Sequence, residues 1–422
     1  MNSIRKVIVI GGGPAGILTA LRLQQSHQIA CVIYEVRQEP TTLGGAIGIP
    51  SNGLRLLQRL GLYEKLTEKG EDTRDMVIHS LKGAVMGKID MVSWSRKTTG
   101  FGYMRIRRTD LMDVLLDAAN AAKIPIHYGK HLASIEEKDD IVTTSFSDGT
   151  TESADFLLGC DGIHSSVRKL YVDPGCKPEY TGIANMYSLL STSMLTPSAK
   201  SMTGLNMTLT SDGLFAITPV NQARDTLYWF FSREVTIPSE GDNRSGWEQR
   251  SKQEIDAVKT TLLQTLGDAD SGWLEMLRDI VHKTEHVRFY PIYKIPAGRK
   301  WHKGRCLIIG DAAHAMPPHA SQGVSMALED AFLFSKLLDS QYNSIEDALQ
   351  VYVEKRKART EDMLKTTESN GSIRRKKGAW ELWANERAIS GGLWVYNMAG
   401  LDKLGLRQKP LAYDVEEEEF KL

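Results

Sequence analysis

The chain has 422 residues, 41% of them hydrophobic, which is enough for two or three domains with a large core. Its 52 basic and 52 acidic residues cancel, so the overall charge favours neither nucleic acid nor an anionic membrane as a partner. No run of 18 apolar residues predicts an integral membrane segment, and the four cysteines form no C-x-x-C pair that would suggest a metal site or a redox disulfide.

The N-terminal pattern leaves little room for a signal peptide, because a strand is predicted from about residue 5. Together with the cysteine usage, this favours a reducing compartment, and we expect a cytoplasmic protein. The sequence leaves the oligomeric state open.

Residues 6–35 carry the most specific pattern in the chain. A β-branched run, Val7–Ile10, is typical of a buried parallel strand, and the glycine-rich segment Gly11–Gly16 follows it directly. Apolar residues at helical spacing come next, and then a second strand, Ala30–Tyr34, which ends at Glu35. This order of strand, glycine turn, helix, strand and acid predicts a dinucleotide-binding unit.

The glycines and the acid of that unit each have a physical task. Gly11 permits the tight turn, Gly13 lets the backbone approach a pyrophosphate, and Gly16 lets the helix pack against the strand. The free N–H groups of the helix N-terminus attract phosphate, and Glu35 can accept hydrogen bonds from ribose hydroxyls. The pattern does not distinguish FAD from a nicotinamide cofactor.

Two further segments allow a structural or a ligand-binding interpretation. The glycines of Gly44–Pro50, Gly48 among them, suit either a plain loop or a close approach of the backbone to a ligand. Three arginines within 105–108 suit a solvated surface, the interpretation that these residues alone favour, or a fork for phosphate oxygens.

Two acids follow predicted buried strands. Asp161-Gly162 follows the strand Phe156–Cys160, and Asp311 follows Gly310 and the strand at 304–309. Acids at the carboxyl ends of parallel strands face the crevice where α/β sheets bind ligands. For Asp161-Gly162 alone, a turn without function is equally compatible.

Residues 180–300 differ in character and predict a second domain with an antiparallel sheet, inserted into the first. The ring-rich strand at 227–231 must bury side chains on at least one face. The candidates for a substrate pocket are Phe215, Tyr228 and Phe230, although the sequence does not tell which sheet face each ring occupies.

The segment 312–323 is predicted to be a loop before a helix at about 324–338. A metal site at His314 and His319 is disfavoured because no further ligands are near in sequence. Pro317 and Pro318 fix the loop's shape, which suits it to holding a flat, electron-rich ring. After Ser344 the chain is expected to be helical.

The tryptophans Trp380, Trp383 and Trp394 are expected to anchor a terminal helix on the body of the protein. A role of this region at a membrane surface is the minor alternative.

Taken together, the three strand-end signals resemble the single-component FAD-dependent monooxygenases of the aromatic-hydroxylase type, which share the p-hydroxybenzoate hydroxylase fold. The resemblance covers about residues 5–340. It implies an α/β fold class, with a Rossmann-type FAD-binding domain, an inserted mixed or antiparallel-sheet substrate domain and C-terminal helices. The implied segments are FAD-binding parts at 1–75, 101–178 and 289–340, substrate parts at 76–100 and 179–288, and a helical region at 341–422.

The resemblance also implies roles for individual residues in binding FAD. Gly11, Gly13 and Gly16 match the pyrophosphate loop, and Glu35 matches the ribose acid. Arg108, three residues before Leu111, resembles the family's R-x-x-L arginine that reaches the FAD phosphates. The remaining matches are Gly48 flanking the flavin, Leu132 loosely near adenine, Asp161 and Gly162 in the motif for FAD and NAD(P)H, Asp311 at the ribityl chain, Pro318 beside the isoalloxazine ring, and Gly323 and Val324 at its pyrimidine end.

Some family features differ or are absent. Ser321-Gln322-Gly323 stands where the family usually has Gly-Gln-Gly, and a serine there could cap the helix. A second G-x-G-x-x-G is absent, which disfavours flavoproteins with two Rossmann domains, and the W-x-W-x-I-P signature of halogenases is absent too. No catalytic acid or base can be placed.

The activity that the resemblance implies is a monooxygenation. NAD(P)H reduces FAD, O₂ adds at flavin C4a to give a hydroperoxide, and one oxygen passes to an electron-rich, aromatic or polycyclic small molecule. An oxidase or reductase on the same fold is the main alternative, and a flavin-bound redox sensor is a further one.

Overall fold

The computed structural model describes residues 4–40, 44–239, 241–268, 271–340, 342 and 344–419. In this part of the chain the strands, numbered in chain order, are β1 (Lys6–Ile10), β2 (Ala30–Tyr34), β3 (Ala46–Ile49), β4 (Glu71–Asp72), β5 (Asp75–His79), β6 (Val85–Asp90), β7 (Met104–Arg107), β8 (Ile126–His127), β9 (Leu132–Lys138), β10 (Ile141–Phe146), β11 (Thr151–Ala154), β12 (Phe156–Gly159), β13 (Glu179–Ser191), β14 (Leu205–Thr210), β15 (Gly213–Pro219), β16 (Thr226–Glu234), β17 (Arg288–Lys294), β18 (His302–Lys303) and β19 (Cys306–Ile308).

The helices of the same residues are α1 (Pro14–His27), α2 (Ser51–Arg59), α3 (Tyr63–Thr67), α4 (Ser93–Thr99), α5 (Arg108–Ala121), α6 (Pro197–Lys200), α7 (Arg244–Leu266), α8 (Gly272–Lys283), α9 (Asp311–His314), α10 (Gly323–Leu338), α11 (Ile345–Gly371) and α12 (Ala379–Met398). Short helical turns lie at Arg168–Val172, Thr192–Met194, Pro318–Ala320, Ser372–Arg374, Lys409–Leu411 and Val415–Glu417.

A six-stranded sheet forms the first layer, in the order β18-β19-β12-β1-β2-β8. Its central strand β1 pairs in parallel with β2 and β12, and β12 pairs in parallel with β19. Val7, Ile8 and Val9 have no exposed surface, because helices such as α1 and α10 cover the sheet. The strand–turn–helix–strand unit and the two later buried strands are therefore confirmed, and their carboxyl ends meet at one edge.

Two small sheets complete this half of the molecule. One is formed by β9, β10 and β11, and Phe146 at the end of β10 stacks on Tyr34 with ring centroids 4.6 Å apart. The glycine segment predicted as a loop instead forms strand β3, which pairs antiparallel with β7, and β7 also pairs with β4. β3 has four residues and one glycine, so it lacks a periodic pattern that could reveal it.

A seven-stranded sheet forms the second half, in the order β17-β13-β16-β15-β14-β5-β6. Neighbouring strands are antiparallel except for β5 and β14, which makes the sheet mixed. β17 pairs with β13, so the chain leaves this sheet after residue 294 rather than at 289. Helices α7 and α8 pack against one face of the sheet through a large apolar cluster.

The C-terminal region wraps back over both halves. α11 packs on α10, and Asp414 accepts hydrogen bonds from Arg55 and Arg59 of α2 at 2.6–2.7 Å. Residues 341, 343 and 420–422 of the predicted helical region lie outside the described residues. Among the helices described, none has the length and hydropathy that a bilayer-spanning segment needs.

The expected anchoring of this region by tryptophans is wrong. Trp380, Trp383 and Trp394 are 74%, 47% and 65% exposed. Leu382 and Leu393 are the buried residues of α12, and they join an apolar cluster on the large sheet. The sequence showed an apolar helix, but only the packing shows which of its faces is covered.

Candidate functional site

The glycine turn between β1 and α1 has the geometry that a pyrophosphate site needs. Gly11 has φ +111°, and a Cβ atom there would overlap the carbonyl oxygen of Cys160 on the neighbouring strand. A Cβ atom at Gly16 would overlap the carbonyl oxygen of Gly11, so both positions require glycine. Nothing lies within 4 Å of the Cβ position of Gly13, which leaves open space at the start of α1.

Glu35 is hydrogen-bonded to the glycine turn. Its carboxylate is 6% exposed and accepts hydrogen bonds from the N–H groups of Gly12, at 2.7 Å, and Arg37, at 2.9 Å. Each oxygen keeps a lone pair for a further donor. The predicted placement of this acid at the end of β2 is confirmed, and its contact with a ribose stays a prediction.

The Asp161-Gly162 segment lies directly beside Gly11. Asp161 Oδ2 accepts hydrogen bonds from the N–H groups of Ser166, at 2.6 Å, and Val167, at 3.2 Å. Burial raises the pKa of Asp161 above its usual value, although those hydrogen bonds oppose the shift. Its Oδ1 is buried and has no hydrogen-bond partner among the described residues.

Arg168, which the sequence did not single out, joins two strand-end loops. It is 2% exposed, and its Nη1 donates a 2.6 Å hydrogen bond to the carbonyl oxygen of Ala312. Arg168 lies in a short helical turn, seven residues after Asp161, and such a short turn has no periodic pattern from which its burial could be predicted.

Asp311 and Arg108 are close enough to attract each other electrostatically. The Asp311 side chain is accessible to solvent, but many protein atoms surround it. This environment raises the pKa of Asp311, although the positive charges of His314 and Arg108 act in the opposite direction. Arg108 begins α5, and its N–H donates to the carbonyl oxygen of Gly45 at 2.9 Å. The Arg108 Nε is buried without a hydrogen-bond partner in the described chain.

The other two arginines of this segment separate. Arg107 points outward and pairs with Asp110 at 2.6 Å, as the surface interpretation expects. Arg105 is 5% exposed and donates to the Tyr103 hydroxyl at 2.9 Å, so the surface interpretation is wrong for Arg105. Successive side chains of a strand point to opposite faces, and the chain turns into α5 at Arg108. The three arginines therefore differ in exposure although they are close in sequence.

The proline-containing segment at 317–321 lies next to Gly48. A Cβ atom at Gly48 would overlap the Tyr103 hydroxyl and would lie 2.9 Å from Cβ of Ser321. Pro318 is exposed and begins the turn Pro318–Ala320, while Ser321 has φ +54°. The expectation that Ser321 could cap α10 is wrong, because the capping position is Gln322. Ser321 instead adopts the left-handed conformation that glycine favours.

The segment before α10 begins with a short helix, α9, rather than the loop that was predicted. Helix α10 begins at Gly323, where nothing lies within 4 Å of the Cβ position. The first N–H groups of α10, including that of Val324, have no partner within the helix, and the helix dipole favours negative charge there.

A buried ionic network supports α9 and α10 from behind. Asp330 Oδ2 accepts from the Gly310 N–H and lies 2.7 Å from His314 Nε2, while Oδ1 accepts from Arg356 Nε at 2.8 Å. Arg356 also donates to Glu329 at 2.8 Å. Burial opposes the charge of Asp330, but His314 and Arg356 outweigh it and hold its pKa below the usual range. These residues come from three helical segments, α9 with its capping residue Gly310, α10 and α11, and the sequence pattern did not predict their meeting.

Neither histidine of the loop is arranged as a metal ligand. His314 pairs with Asp330, and within the described chain no three His, Cys, Asp or Glu side chains cluster in a way that could hold a metal ion. His319 packs against Gly371, and burial, with Arg374 nearby, lowers its pKa to about 2.

Two of the three predicted pocket rings lie together. Tyr228 is 2.8 Å from the Cβ position of Gly45, and its ring centroid lies 5.8 Å from those of Tyr187 and Phe230. Burial raises the pKa of Tyr228, so the hydroxyl stays protonated. Phe215 is on the opposite face of the sheet, fully buried in the cluster under α7 and α8, so its assignment to the pocket is wrong.

Leu132 begins β9 and pairs with Phe146, beside the end of β2. Lys130, two residues before Leu132, connects this segment to Glu35, because its N–H donates a 2.9 Å hydrogen bond to the carbonyl oxygen of Glu35. Its contact with adenine stays a prediction.

The crevice fits FAD. The unpaired Arg108 Nε can donate to a phosphate oxygen, and the unpaired Asp161 Oδ1 can accept from a hydroxyl or amino group. Nothing lies within 4 Å of the Cβ positions of Gly13 and Gly323, so a ligand can approach the backbone at the N-termini of both α1 and α10. A long dinucleotide with a pyrophosphate at its centre satisfies both conditions.

Comparisons with known proteins agree with this geometry. Residues 5–367 match the family described as the FAD binding domain. A 3-amino-4-hydroxybenzoate 2-monooxygenase of Streptomyces platensis is 30% identical over 372 residues, which are 87% of each chain. A 6-hydroxynicotinate 3-monooxygenase of Pseudomonas fluorescens is 27% identical over 341 residues, 80% of this chain and 83% of the relative.

A solved structure, Klebsiella pneumoniae HpxO complexed with FAD and uric acid, superposes with a TM-score of 0.78. It covers 95% of this chain and 97% of its own, and at 23% identity it supports the fold. The fold and crevice thus define a flavoprotein with one dinucleotide-binding unit. The chain belongs to the FAD-binding-domain family, as an FAD-dependent monooxygenase.

Proposed function

We propose that this monooxygenase uses NAD(P)H and O₂ to hydroxylate or epoxidise an electron-rich, aromatic or polycyclic small molecule. The observation that carries the proposal is the aromatic wall formed by Tyr187, Tyr228 and Phe230, in which the first two rings lie against Gly45. In this proposal the wall lines the substrate pocket. A wall of rings binds flat, apolar substrates through stacking and burial. The named substrates of the relatives, such as hydroxynicotinate and aminohydroxybenzoate, are flat rings too.

Bound FAD supplies the redox chemistry, in which it accepts a hydride from NAD(P)H and activates O₂. We assign the pyrophosphate to Gly11, Gly13, Gly16 and Arg108, and the ribityl hydroxyls to Asp311. The ring system lies between Gly48 and Pro318 in this proposal.

The N-terminus of α10, at Gly323 and Val324, contributes positive potential at one end of that ring. A helix N-terminus stabilises negative charge by up to about 2 kcal/mol when the site is partly buried. In this proposal the walls of the site exclude water, which would limit side reactions at the bound cofactor. We assign no acid or base to the chemical step.

The sequence has one G-x-G-x-x-G turn, so NAD(P)H has no Rossmann unit of its own. We therefore propose that NAD(P)H approaches from the surface and leaves after reduction. Nucleic acid has no part in this function. A cytoplasmic location also belongs to the proposal, since the four cysteines are buried free thiols, which suits a reducing compartment.

Labelled oxygen tests the reaction class. The FAD-loaded enzyme is screened with phenols, polyketides and alkaloids for faster NADPH oxidation, and hits are repeated under ¹⁸O₂. We expect one labelled atom in the product. Substrate oxidation without label identifies an oxidase or dehydrogenase, and absence of NAD(P)H turnover with every compound supports a redox sensor.

A matched pair of variants tests the pocket. Phe230→Ala should raise the KM for the hit compound while FAD affinity is unchanged, because the proposal assigns Phe230 to the substrate pocket and not to the FAD site. Phe215→Ala should cost about 3–5 kcal/mol of stability and leave KM unchanged, because Phe215 is core. Equal effects of both variants on KM would refute the assignment of the wall.

A further inference from the structure

Helix α12 carries apolar residues on two faces. Its inner face, with Leu382 and Leu393, packs on the large sheet in a cluster that Phe230 also contacts. The outer face, which we name the tryptophan face, consists of Trp380, Trp383, Trp394 and Met398. These residues follow each other at spacings of three, eleven and four, so they lie along one side of the helix.

The tryptophan face is open to solvent. Trp380 is 74%, Trp394 65% and Met398 70% exposed, and Trp380 and Trp383 stack with ring centroids 4.7 Å apart. Leu404 and Leu406, just beyond the helix, are more than half exposed as well. Several large apolar side chains exposed on one side of a helix mark an interaction site rather than an ordinary protein exterior.

The charge around this face differs from that of the whole chain. Residues 372–411 contain eight Lys or Arg and three Asp or Glu, within a chain whose formal net charge is zero. Six of the eight basic residues are exposed, whereas Glu381 is the one acid of this segment that is fully exposed. Arg387 lies on the tryptophan face itself, 5.8 Å from the centroid of the Trp383 ring.

A second copy of the chain fits this surface poorly. A two-fold pairing that overlaps the whole face runs the two helices antiparallel, with its centre near residue 389. The two Arg387 side chains then lie within about one helical turn of each other, roughly 5–6 Å along the axis. Two cations at the centre of an apolar interface repel each other and lose their hydration.

We propose that the tryptophan face is a docking surface for an anionic lipid bilayer. Trp side chains prefer the boundary between headgroups and acyl chains, and nearby Lys and Arg attract anionic headgroups. Helix α12 then lies in the plane of the bilayer surface without crossing it. The inner face of the same helix reaches the apolar cluster beside Phe230, so docking places the crevice wall about one helix diameter, roughly 10 Å, from the lipid.

Vesicle sedimentation of the FAD-loaded enzyme tests this proposal. We expect binding to vesicles of equal parts phosphatidylcholine and phosphatidylserine, with a blue shift of the tryptophan emission. Trp380→Ser, Trp394→Ser and Met398→Ser together should lower the partition coefficient by at least about tenfold. Neutralising Arg387, Lys403 and Arg407 to Gln should lower it roughly a hundredfold on these vesicles and much less on pure phosphatidylcholine.

The control carries Met194→Ser and Ile237→Ser, which remove two exposed apolar residues elsewhere and should leave binding unchanged. FAD content and NADPH oxidation of every variant report the fold, so the result does not depend on the identity of the substrate. The proposal is overturned if wild-type enzyme ignores anionic vesicles or if the tryptophan-face variant binds as well as wild type. A wild-type dimer in sedimentation velocity that this variant dissociates would also overturn it, in favour of a second copy.

Discussion

Arg356 lies at the centre of the buried network and provides the sharpest test of how the C-terminal region supports the crevice. Its side chain has no exposed surface and bonds Asp330 and Glu329 at 2.8 Å each. In Arg356→Met, Glu329 keeps Arg359 at 3.1 Å, but Asp330 keeps only His314 and the Gly310 N–H among these partners. Removing one partner of a buried ion pair costs about 3–5 kcal/mol.

The expected loss of thermal stability follows from the size of the chain. Unfolding entropy is about 2.1 cal/mol/K per residue, so for 422 residues this cost lowers Tm by about 3–6 °C. FAD affinity should fall as well, although Arg356 does not line the crevice, because Asp330 holds the Gly310 N–H beside Asp311.

Thermal melts by circular dichroism and flavin fluorescence titrations measure the two effects. Arg359→Met is the matched control, since Arg359 is partly exposed and bonds Glu329 but not Asp330, and we expect a smaller loss with FAD affinity retained. The reasoning is refuted if Arg356→Met melts within about 1 °C of wild type and binds FAD equally well.

Three further predictions concern single positions. Asp311→Ala should weaken FAD binding about tenfold to a hundredfold, since charge-assisted hydrogen bonds contribute about 1.5–3 kcal/mol, and unchanged affinity in a fluorescence titration would show that Asp311 is wrongly placed. Gly16→Ala should purify without FAD, because its Cβ atom would overlap the Gly11 carbonyl oxygen, whereas Gly391→Ala, with open space around it, should keep FAD; retention of FAD by both argues against the turn geometry. The pKa of His319 is about 2 in the folded state and about 6.5 in the unfolded state, so only the unfolded state binds a proton as the pH is lowered. The free energy of unfolding should therefore decrease by up to about 2 kcal/mol when the pH is lowered from about 7 to about 5. His319→Gln should remove this part of the pH dependence in denaturant melts, and an unchanged pH profile contradicts the buried neutral histidine.

Features set by neighbouring residues could be predicted from the sequence. The turn after β1 follows from glycines whose side chains would overlap adjacent backbone, and Glu35 follows because it ends the next strand. Buried parallel strands appear as short β-branched or apolar runs, which placed Asp161 and Asp311 at one sheet edge. The overlap of Gly16 with Gly11 and the apolar runs act within a few residues of the chain, so a single sequence contains them. The contact of Gly11 with Cys160 is long-range, and the glycine pattern indicated the turn without it.

Other features depend on which surfaces meet in three dimensions. Phe215 and Phe230 lie on strands of one sheet, and only the covering by α7 and α8 shows that the first is in the core under these helices and the second is on the opposite face, beside the cluster under α12. Trp394 and Leu393 are neighbours in sequence, yet one is solvent-exposed and the other buried, because the large sheet covers only one side of α12. The Asp330–Arg356 pair joins two helices across 26 residues, and the sequence contains each charge without its partner. Local sterics and periodicity determined the cofactor turn, whereas long-range packing decided the walls, the supporting charges and the exposed face.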